Sequence, residues 1–298
     1  MSDTNYKCLD RKEFLKRTAS GLAAFGAAGL TVPSFLQPVS AAVNLKYREL
    51  GKTGIKVTEV GAGGSRTNEP SVIKRALDLG VNFIDTGRMY AGGRNEEMIG
   101  KVIKPVRKNI VIQSKIDQKI QRDAKAMEKS IDDSLRALQS DYVDIMIIRG
   151  ATKLDMVHNP VVHETFEKAK KAGKIRACGF SCHSSNAHEM VLEGIKTGVY
   201  DVIMVPYNHA GNFRHTIYGI YSEWDQDALE NSFEKAVANG IGIVCMKTCS
   251  GGPMKTGDHP RGTYRAGLKW ILRNKNVSTL AAGMASFREV DEDVGAMG

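Results

Sequence analysis

Tyr142-Val143-Asp144-Ile145-Met146-Ile147-Ile148 runs apolar with a single acidic interruption. A strand wetted on one face alternates apolar and polar residues, whereas a continuous run fits a parallel strand covered on both faces. Seven further segments read the same way, at 57–61, 81–85, 110–114, 174–181, 201–206, 241–246 and 278–283. Amphipathic helical stretches alternate with them, near 70–79, 95–103, 123–138, 161–172, 186–196, 227–239, 263–274 and 286–296. Eight β/α units in roughly 240 residues predict a (β/α)8 TIM barrel rather than a doubly wound sheet. The first unit also lacks the G-x-G-x-x-G turn of a dinucleotide-binding doubly wound fold.

Functional residues of such a barrel sit at the carboxyl ends of its strands. Asp85, Lys115, Arg149, Ser181, Tyr207 and Lys247 fall there. Asp85 closes Val81-Asn82-Phe83-Ile84, and Lys115 closes Ile110-Val111-Ile112-Gln113-Ser114. Tyr90 follows Asp85 in a loop with Gly92 and Gly93. A phenol is a poor proton donor at a free pKa of about 10. An adjacent ammonium stabilises the phenolate and makes the proton easier to give, while an acid holds that ammonium charged and oriented. Asp85, Tyr90 and Lys115 together therefore suit general-acid catalysis at a carbonyl oxygen. Taken one at a time, each also fits a strand-end ion pair or a packed tyrosine.

The wording around these residues resembles the aldo-keto reductase family. The likeness starts at Tyr47-Arg48-Glu49-Leu50-Gly51-Lys52-Thr53-Gly54-Ile55-Lys56-Val57. It continues through Asn82-Phe83-Ile84-Asp85-Thr86, Tyr90 and Arg94-Asn95-Glu96-Glu97-Met98-Ile99-Gly100. It resumes at Gly173-Lys174-Ile175-Arg176, Gly179-Phe180-Ser181, Pro206-Tyr207-Asn208, Gly240-Ile241-Gly242-Ile243-Val244, Ser250-Gly251-Gly252 and Gly283-Met284. The resemblance implies an NAD(P)H-dependent enzyme reducing aldehydes or ketones, with a hairpin at 45–50 and 54–60 closing the barrel bottom. Asp85, Tyr90 and Lys115 take the family's catalytic positions. The usual fourth residue, a histidine, aligns with Arg149. A guanidinium cannot surrender its proton near neutrality but donates paired hydrogen bonds to an oxyanion or carboxylate.

The same alignment implies the cofactor contacts. Ser181 matches the serine on the nicotinamide carboxamide, with Cys182 in place of the following asparagine. Met204 replaces a glutamine, and Met246 the aromatic that stacks on nicotinamide, with Lys247 next to it. Gly251 and Gly252 lie in the loop beyond. Ser286, Arg288, Glu292 and Asp293 match the adenosine-phosphate clamp, with Ser286 in place of a lysine and the arginine moved one place to Arg288. The last helix N-terminus still suits a phosphate. NADP(H) is favoured and NAD(H) stays open. A cofactor- or ligand-binding barrel with little reductase activity, or an exported sugar oxidoreductase with a permanently held cofactor, are the alternatives.

Charged residues make up 25% of the chain and apolar ones 42%, the profile of an ordinary globule. Net charge is +9. The basic residues are scattered without a long run, which argues against nucleic acid and for an anionic small molecule as partner. Residues 1–42 read as a separate segment. Arg11-Lys12-Glu13-Phe14-Leu15-Lys16, an Ala/Gly-rich stretch from Ala19 to Leu30, and Val39-Ser40-Ala41-Ala42 have signal-peptide anatomy. The basic string resembles a twin-arginine signal with Lys12 in place of the second arginine. That implies the twin-arginine translocation machinery as partner, cleavage near Ala41 or Ala42, and a periplasmic or otherwise exported barrel at 43–298. A non-functional signal would leave the protein in the cytoplasm. The stretch is too short and weakly apolar for a stable membrane span.

Cys178/Cys182 and Cys245/Cys249 are spaced C-x3-C, which is not a zinc or iron–sulfur pattern, and no metal is expected. Cys178 and Cys245 fall on strands two apart, too far to bridge, so buried free thiols are expected. Two long connections, 208–226 and 247–262, lie at the predicted active face. The aromatics of the first, Phe213, Tyr218, Tyr221 and Trp224, either shape the pocket or pack beneath the loop.

Overall fold

The computed structural model describes residues 45–215, 220–257 and 259–298, so the segment 1–42 read as an export signal lies outside the described residues. A hairpin of β1 (Tyr47–Glu49) and β2 (Lys56–Thr58) comes first. Six strands follow: β3 (Val60–Gly63), β4 (Phe83–Asp85), β5 (Val111–Asp117), β6 (Val143–Ala151), β7 (Ile175–Cys182) and β8 (Val202–Pro206). A second hairpin, β9 (Asn212–His215) with β10 (Ile220–Glu223), occupies the first long connection. After β11 (Gly242–Met246), a third, β12 (Met254–Thr256) with β13 (His259–Thr263), occupies the second. The last strand is β14 (Val277–Gly283). β3 to β8, β11 and β14 pair in parallel and close into a barrel, in the order β11-β14-β3-β4-β5-β6-β7-β8 and back to β11. The expected (β/α)8 TIM barrel with an N-terminal hairpin is the fold observed.

Among the described residues, eight helices of eight or more residues cover the strands: α1 (Pro70–Asp78), α2 (Arg94–Ile103), α3 (Ala124–Leu138), α4 (Pro160–Lys171), α5 (Ala187–Thr197), α6 (Gln226–Ala238), α7 (Tyr264–Leu272) and α8 (Phe287–Val294). Their starts are set locally. Proline opens α1 and α4, where a missing N–H costs nothing. Side chains of Asp123, Asp225 and Thr263 accept from backbone N–H groups two or three positions into α3, α6 and α7. Among the described residues, no helix is long and apolar enough to cross a membrane.

Side-chain alternation along each strand divides two cores. Ile84, Ile112, Met146, Ile148, Phe180, Ile203 and Ile243 point outward and pack under the helices. Phe83, Val111, Ile145, Ile147, Ala177, Val202 and Val244 point inward and fill the barrel. Leu50, Ile55 and Val57 of the first hairpin join that inner cluster and seal its lower end. Gly51 lets the hairpin seat there. Its φ is +56°, Lys52 N donates to Gly240 O at 2.8 Å, and a Cβ on Gly51 would lie 2.3 Å from that oxygen.

The segment read as one strand at 57–61 divides at Glu59 between β2 and β3. Thr58 Oγ1 donates to Val60 O, and Arg48 Nε donates to the Glu59 carboxylate at 2.8 Å, pinning the corner where chain leaves hairpin for barrel. The hairpin arms are correspondingly shorter than 45–50 and 54–60. Cys178, Cys182 and Cys245 are buried free thiols, and Cys249 is a half-buried one. β8 runs between the strands of Cys178 and Cys245.

Candidate active site

Inward parity, carried one step past the inner core, builds the floor of a cleft. Gly63 (β3), Asp85 (β4), Lys115 (β5), Arg149 (β6), Ser181 (β7), Met204 (β8), Met246 (β11) and Ala281 (β14) all line a cavity of about 650 Å³ at the carboxyl ends of the strands. Tyr90, Lys247, Arg288, Glu292 and Asp293 line it too.

Asp85 and Lys115 are buried and form an ion pair, and Lys115 Nζ also donates to Thr86 O at 2.6 Å. Burial opposes the ammonium, but Asp85 and the Tyr90 phenol oxygen outweigh it and raise the Lys115 pKa above the ordinary lysine value. The ammonium lies 4.9 Å from the Tyr90 ring centroid. Tyr90 is carried on a short turn, Tyr90–Gly93, anchored by Tyr90 N donating to Gly87 O at 2.9 Å. Ala91 in that turn has φ +50°, a strained backbone for a residue with a Cβ. Behind the triad, Asn95 of α2 is buried, donates to Gly64 O and Thr67 O, and accepts from Thr86 Oγ1 at 2.7 Å. It ties the ends of β3 and β4 together.

Arg149 sits inside β6, which runs three residues beyond the predicted end. The β6–β7 register shifts between Ile148 and Ala151, and Gly150 N donates to Ser181 Oγ at 2.9 Å. Such a bulge re-aims the flanking side chain. Lys247 has φ +57° and a carbonyl held by Asn208 Nδ2 at 3.1 Å and Ser250 N at 3.0 Å. Its ammonium lies 5.1 Å from the Phe213 ring centroid. Burial first, and then the Arg149 charge, hold its pKa below the ordinary lysine value.

The far end of the cleft is mixed in charge. Arg66 lies 3.7 Å from the Glu289 carboxylate, and its stem crosses Gly283, where a Cβ would meet it at 2.7 Å. Arg288 has no carboxylate partner among the described residues. Glu292 accepts from Tyr264 N at 3.1 Å at the start of α7. Asp293 is buried, and burial with repulsion from Glu292 and Glu289 pushes its carboxyl up to about 7.

Not every expected residue reaches the cleft. Tyr207 turns outward beneath the helices. Its ring packs 5.3 Å from Phe233 and 5.1 Å from Trp270, and its hydroxyl donates to Glu230 at 2.6 Å. Gly251 packs against Asn208 and Gly252 lies in the turn after it; neither lines the cavity. The Ser286 hydroxyl accepts from Glu289 N as the cap of α8 and also stays out of the lining. Cys182 points outward, with burial raising its thiol to about 12. Phe213 and Trp224 pack in the core beneath the β9–β10 hairpin, whereas Tyr221 is exposed and Tyr218 lies outside the described residues.

Further residues in and around the site were not foreseen. Gln113, two positions before Lys115 and so facing inward, donates to Asp85 at 2.7 Å and to Met204 Sδ at 3.3 Å, backing the pair from below. Its parity was the available signal. Arg66 and His183 enter from the connections beyond β3 and β7, and Arg214 from β9, all outside the periodicity of the barrel.

A nicotinamide dinucleotide fits this donor set. Met204, Met246, Gly63 and Ala281 offer an apolar, partly side-chain-free bed for a flat ring. The Ser181 hydroxyl accepts from Gly150 N and has its own proton left to donate. Arg288 and Arg66 supply cations at the opposite end for phosphate.

The model of the Aldo/keto reductase family matches residues 59–266. L-galactose dehydrogenase of Arabidopsis thaliana is 26% identical over 295 residues, spanning 85% of this chain and 88% of that protein. An aldo-keto reductase of Bacillus halodurans, solved in its holo form, superposes with a TM-score of 0.68 at 26% identity, over 85% of this chain and 90% of that one. An aldo-keto reductase of Klebsiella pneumoniae solved in complex with NADPH has a TM-score of 0.66 at 22% identity, over 85% and 89%.

Proposed function

Since this chain belongs to the aldo/keto reductase family, we propose that it reduces an aldehyde or ketone with a nicotinamide cofactor, NADP(H) before NAD(H). The buried Lys115–Asp85 pair beside Tyr90, at the head of the cleft, is the observation that carries this reading. When bound, the reduced cofactor supplies a hydride to the carbonyl carbon. Ser181, Met204 and Met246 would hold the nicotinamide end, and Arg288, Glu292 and Asp293 the adenosine end.

Tyr90 donates its proton to the carbonyl oxygen. The phenolate left behind is stabilised by the Lys115 ammonium, which Asp85 and Thr86 O keep charged and aimed. Gln113 fixes the Asp85 carboxylate from beneath. Arg149 directs the carbonyl with a guanidinium that stays charged through the reaction, so it orients and polarises but does not relay a proton. The NADPH complex of the Klebsiella relative supports the cofactor preference by likeness of fold. For residues 1–42, the sequence pattern supports export, checked by fractionating cells that express the tagged full chain.

A panel of aldehydes and ketones assayed with NADPH and NADH tests the assignment. Wild type is expected to turn over at least one member, with Tyr90→Phe reduced by about 10²–10⁴-fold. Wild type as inert as Tyr90→Phe across the panel, with tight cofactor binding by nicotinamide fluorescence, would favour the ligand-binding barrel. The replacement of histidine by Arg149 is what motivates that second reading.

A further inference from the structure

The charges of the cleft are unevenly paired. Toward β3 and β14, Arg66 faces Glu289, and Glu292 and Asp293 lie close by. At β4 and β5, Lys115 is neutralised by Asp85. Toward β6, β7 and the β9–β10 hairpin, Arg149, Lys247 and Arg214 line the same cavity with His183. Among the described residues, none of those three cations is paired with a carboxylate.

Arg149 comes from β6 and Lys247 from the end of β11, with β7 and β8 between these strands. Lys247 nevertheless reaches over the Phe213 ring to where it feels the Arg149 charge. Both side chains are only half exposed. Two like charges drawn together out of bulk water are unfavourable unless an anion joins them. Neither is aimed by chance. Arg149 lies within a bulge that Gly150 and Ser181 lock, and Lys247 is held in a left-handed conformation by Asn208 and Ser250. A planar guanidinium matches a carboxylate with two parallel donors, and the ammonium adds a point charge.

Building on the reductase reading above, we propose that the carbonyl substrate carries a carboxylate, held between the Arg149 guanidinium and the Lys247 ammonium. The carboxylate anchors the substrate at the β6–β8 side of the mouth and presents its carbonyl to Tyr90. Arg149 serves both groups where the carboxylate neighbours the carbonyl, because its donors diverge in one plane. Oxo acids and aldehyde acids, including oxidised sugars bearing a carboxylate, form the class.

Calorimetric titration of the full chain, without cofactor, with benzoate and its uncharged counterpart benzamide tests the site independently of turnover. Wild type is expected to bind benzoate about tenfold tighter or more, and Arg149→Ala and Lys247→Met each to remove most of that preference while leaving benzamide affinity in place. Arg149→Lys, which keeps charge and folding, should retain only part of it. Equal wild-type affinities, or a benzoate affinity indifferent to all three substitutions, would overturn the proposal. So would a Lys247→Met variant that loses NADP+ affinity but not benzoate affinity, since the ammonium would then serve the cofactor phosphates.

Turnover with NADPH of phenylglyoxylate and its methyl ester completes the test. The acid is expected to have the lower KM, by a factor that Arg149→Ala abolishes. A wild-type enzyme indifferent to the charge counts against the proposal. If neither compound is reduced, the reductase reading is what fails, and the benzoate titration alone decides the anion site.

Discussion

Lys115 is buried with Asp85 as its only carboxylate partner among the described residues, and each makes the other tolerable inside the barrel. Lys115→Met is therefore expected to act twice. It withdraws the charge that stabilises the Tyr90 phenolate, lowering kcat by about 10²–10⁴-fold. It also leaves the Asp85 carboxylate buried with Gln113 as its remaining side-chain donor, a loss on the order of 3 kcal/mol. The double variant Asp85→Asn/Lys115→Met separates the effects. Its urea midpoint should recover toward wild type while kcat stays low. Near-normal kcat in either variant would reduce Lys115 to a structural partner.

Gln113 illustrates what residue-level reasoning can reach. Its inward position followed from that of Lys115, but nothing in the chain's order says that an amide two residues upstream bonds the same carboxylate. Tyr207 illustrates the converse. It directly follows the strand end at Pro206, but the alternation that turns Val202 and Met204 inward turns it outward with Ile203 and Val205, and its ring finds Phe233 and Trp270.

Elements were more legible than contacts. The eight β/α units emerge at the expected places because covered strands and amphipathic helices leave different periodicities. Ends were less legible. β5 and β6 run past Lys115 and Arg149, and the strand at 57–61 splits, because ladder pairing and the Arg48–Glu59 pair are settled by distant partners. The hairpins β9–β10 and β12–β13 pair only with themselves and carry no strand-like alternation strong enough to announce them.

The first hairpin supplies a test at this scale. Gly51→Ala places a Cβ against Gly240 O in a left-handed backbone. It should cost roughly 2–4 kcal/mol, read as a lower urea midpoint with an unchanged slope. Because the hairpin seals the end opposite the cleft, cofactor affinity of the folded fraction should be unaltered. A shift in affinity as large as the shift in stability would mean that the barrel bottom communicates with its mouth.

For the molecule as a whole, Asp293 ties stability to pH. An unfolded aspartate titrates near 4, whereas burial beside Glu292 and Glu289 raises Asp293 to about 7. Below about pH 4 both states hold the proton, and Asp293 imposes no penalty. As pH rises through that window the unfolded state ionises first, so stability falls, levelling off above about 7. Asp293→Asn removes the dependence. Its Tm should exceed wild type by roughly 2–6 °C near pH 8 and converge with it near pH 4. A constant gap across the range would assign the difference to packing.

The packing of Trp224 on Phe213, at a ring separation of 6.4 Å, gives the protein an optical gauge of its own. The chain has two tryptophans, and the other, Trp270, stacks beside Tyr207 away from the cleft. Trp270→Phe would leave one emitting indole, a single aromatic ring removed from the Lys247 ammonium. Its emission should respond as a carboxylate settles on that ammonium, in a stopped-flow trace that needs neither label nor turnover. Reduced nicotinamide absorbs where indole emits, so the same lamp would time the arrival of each occupant and give their order.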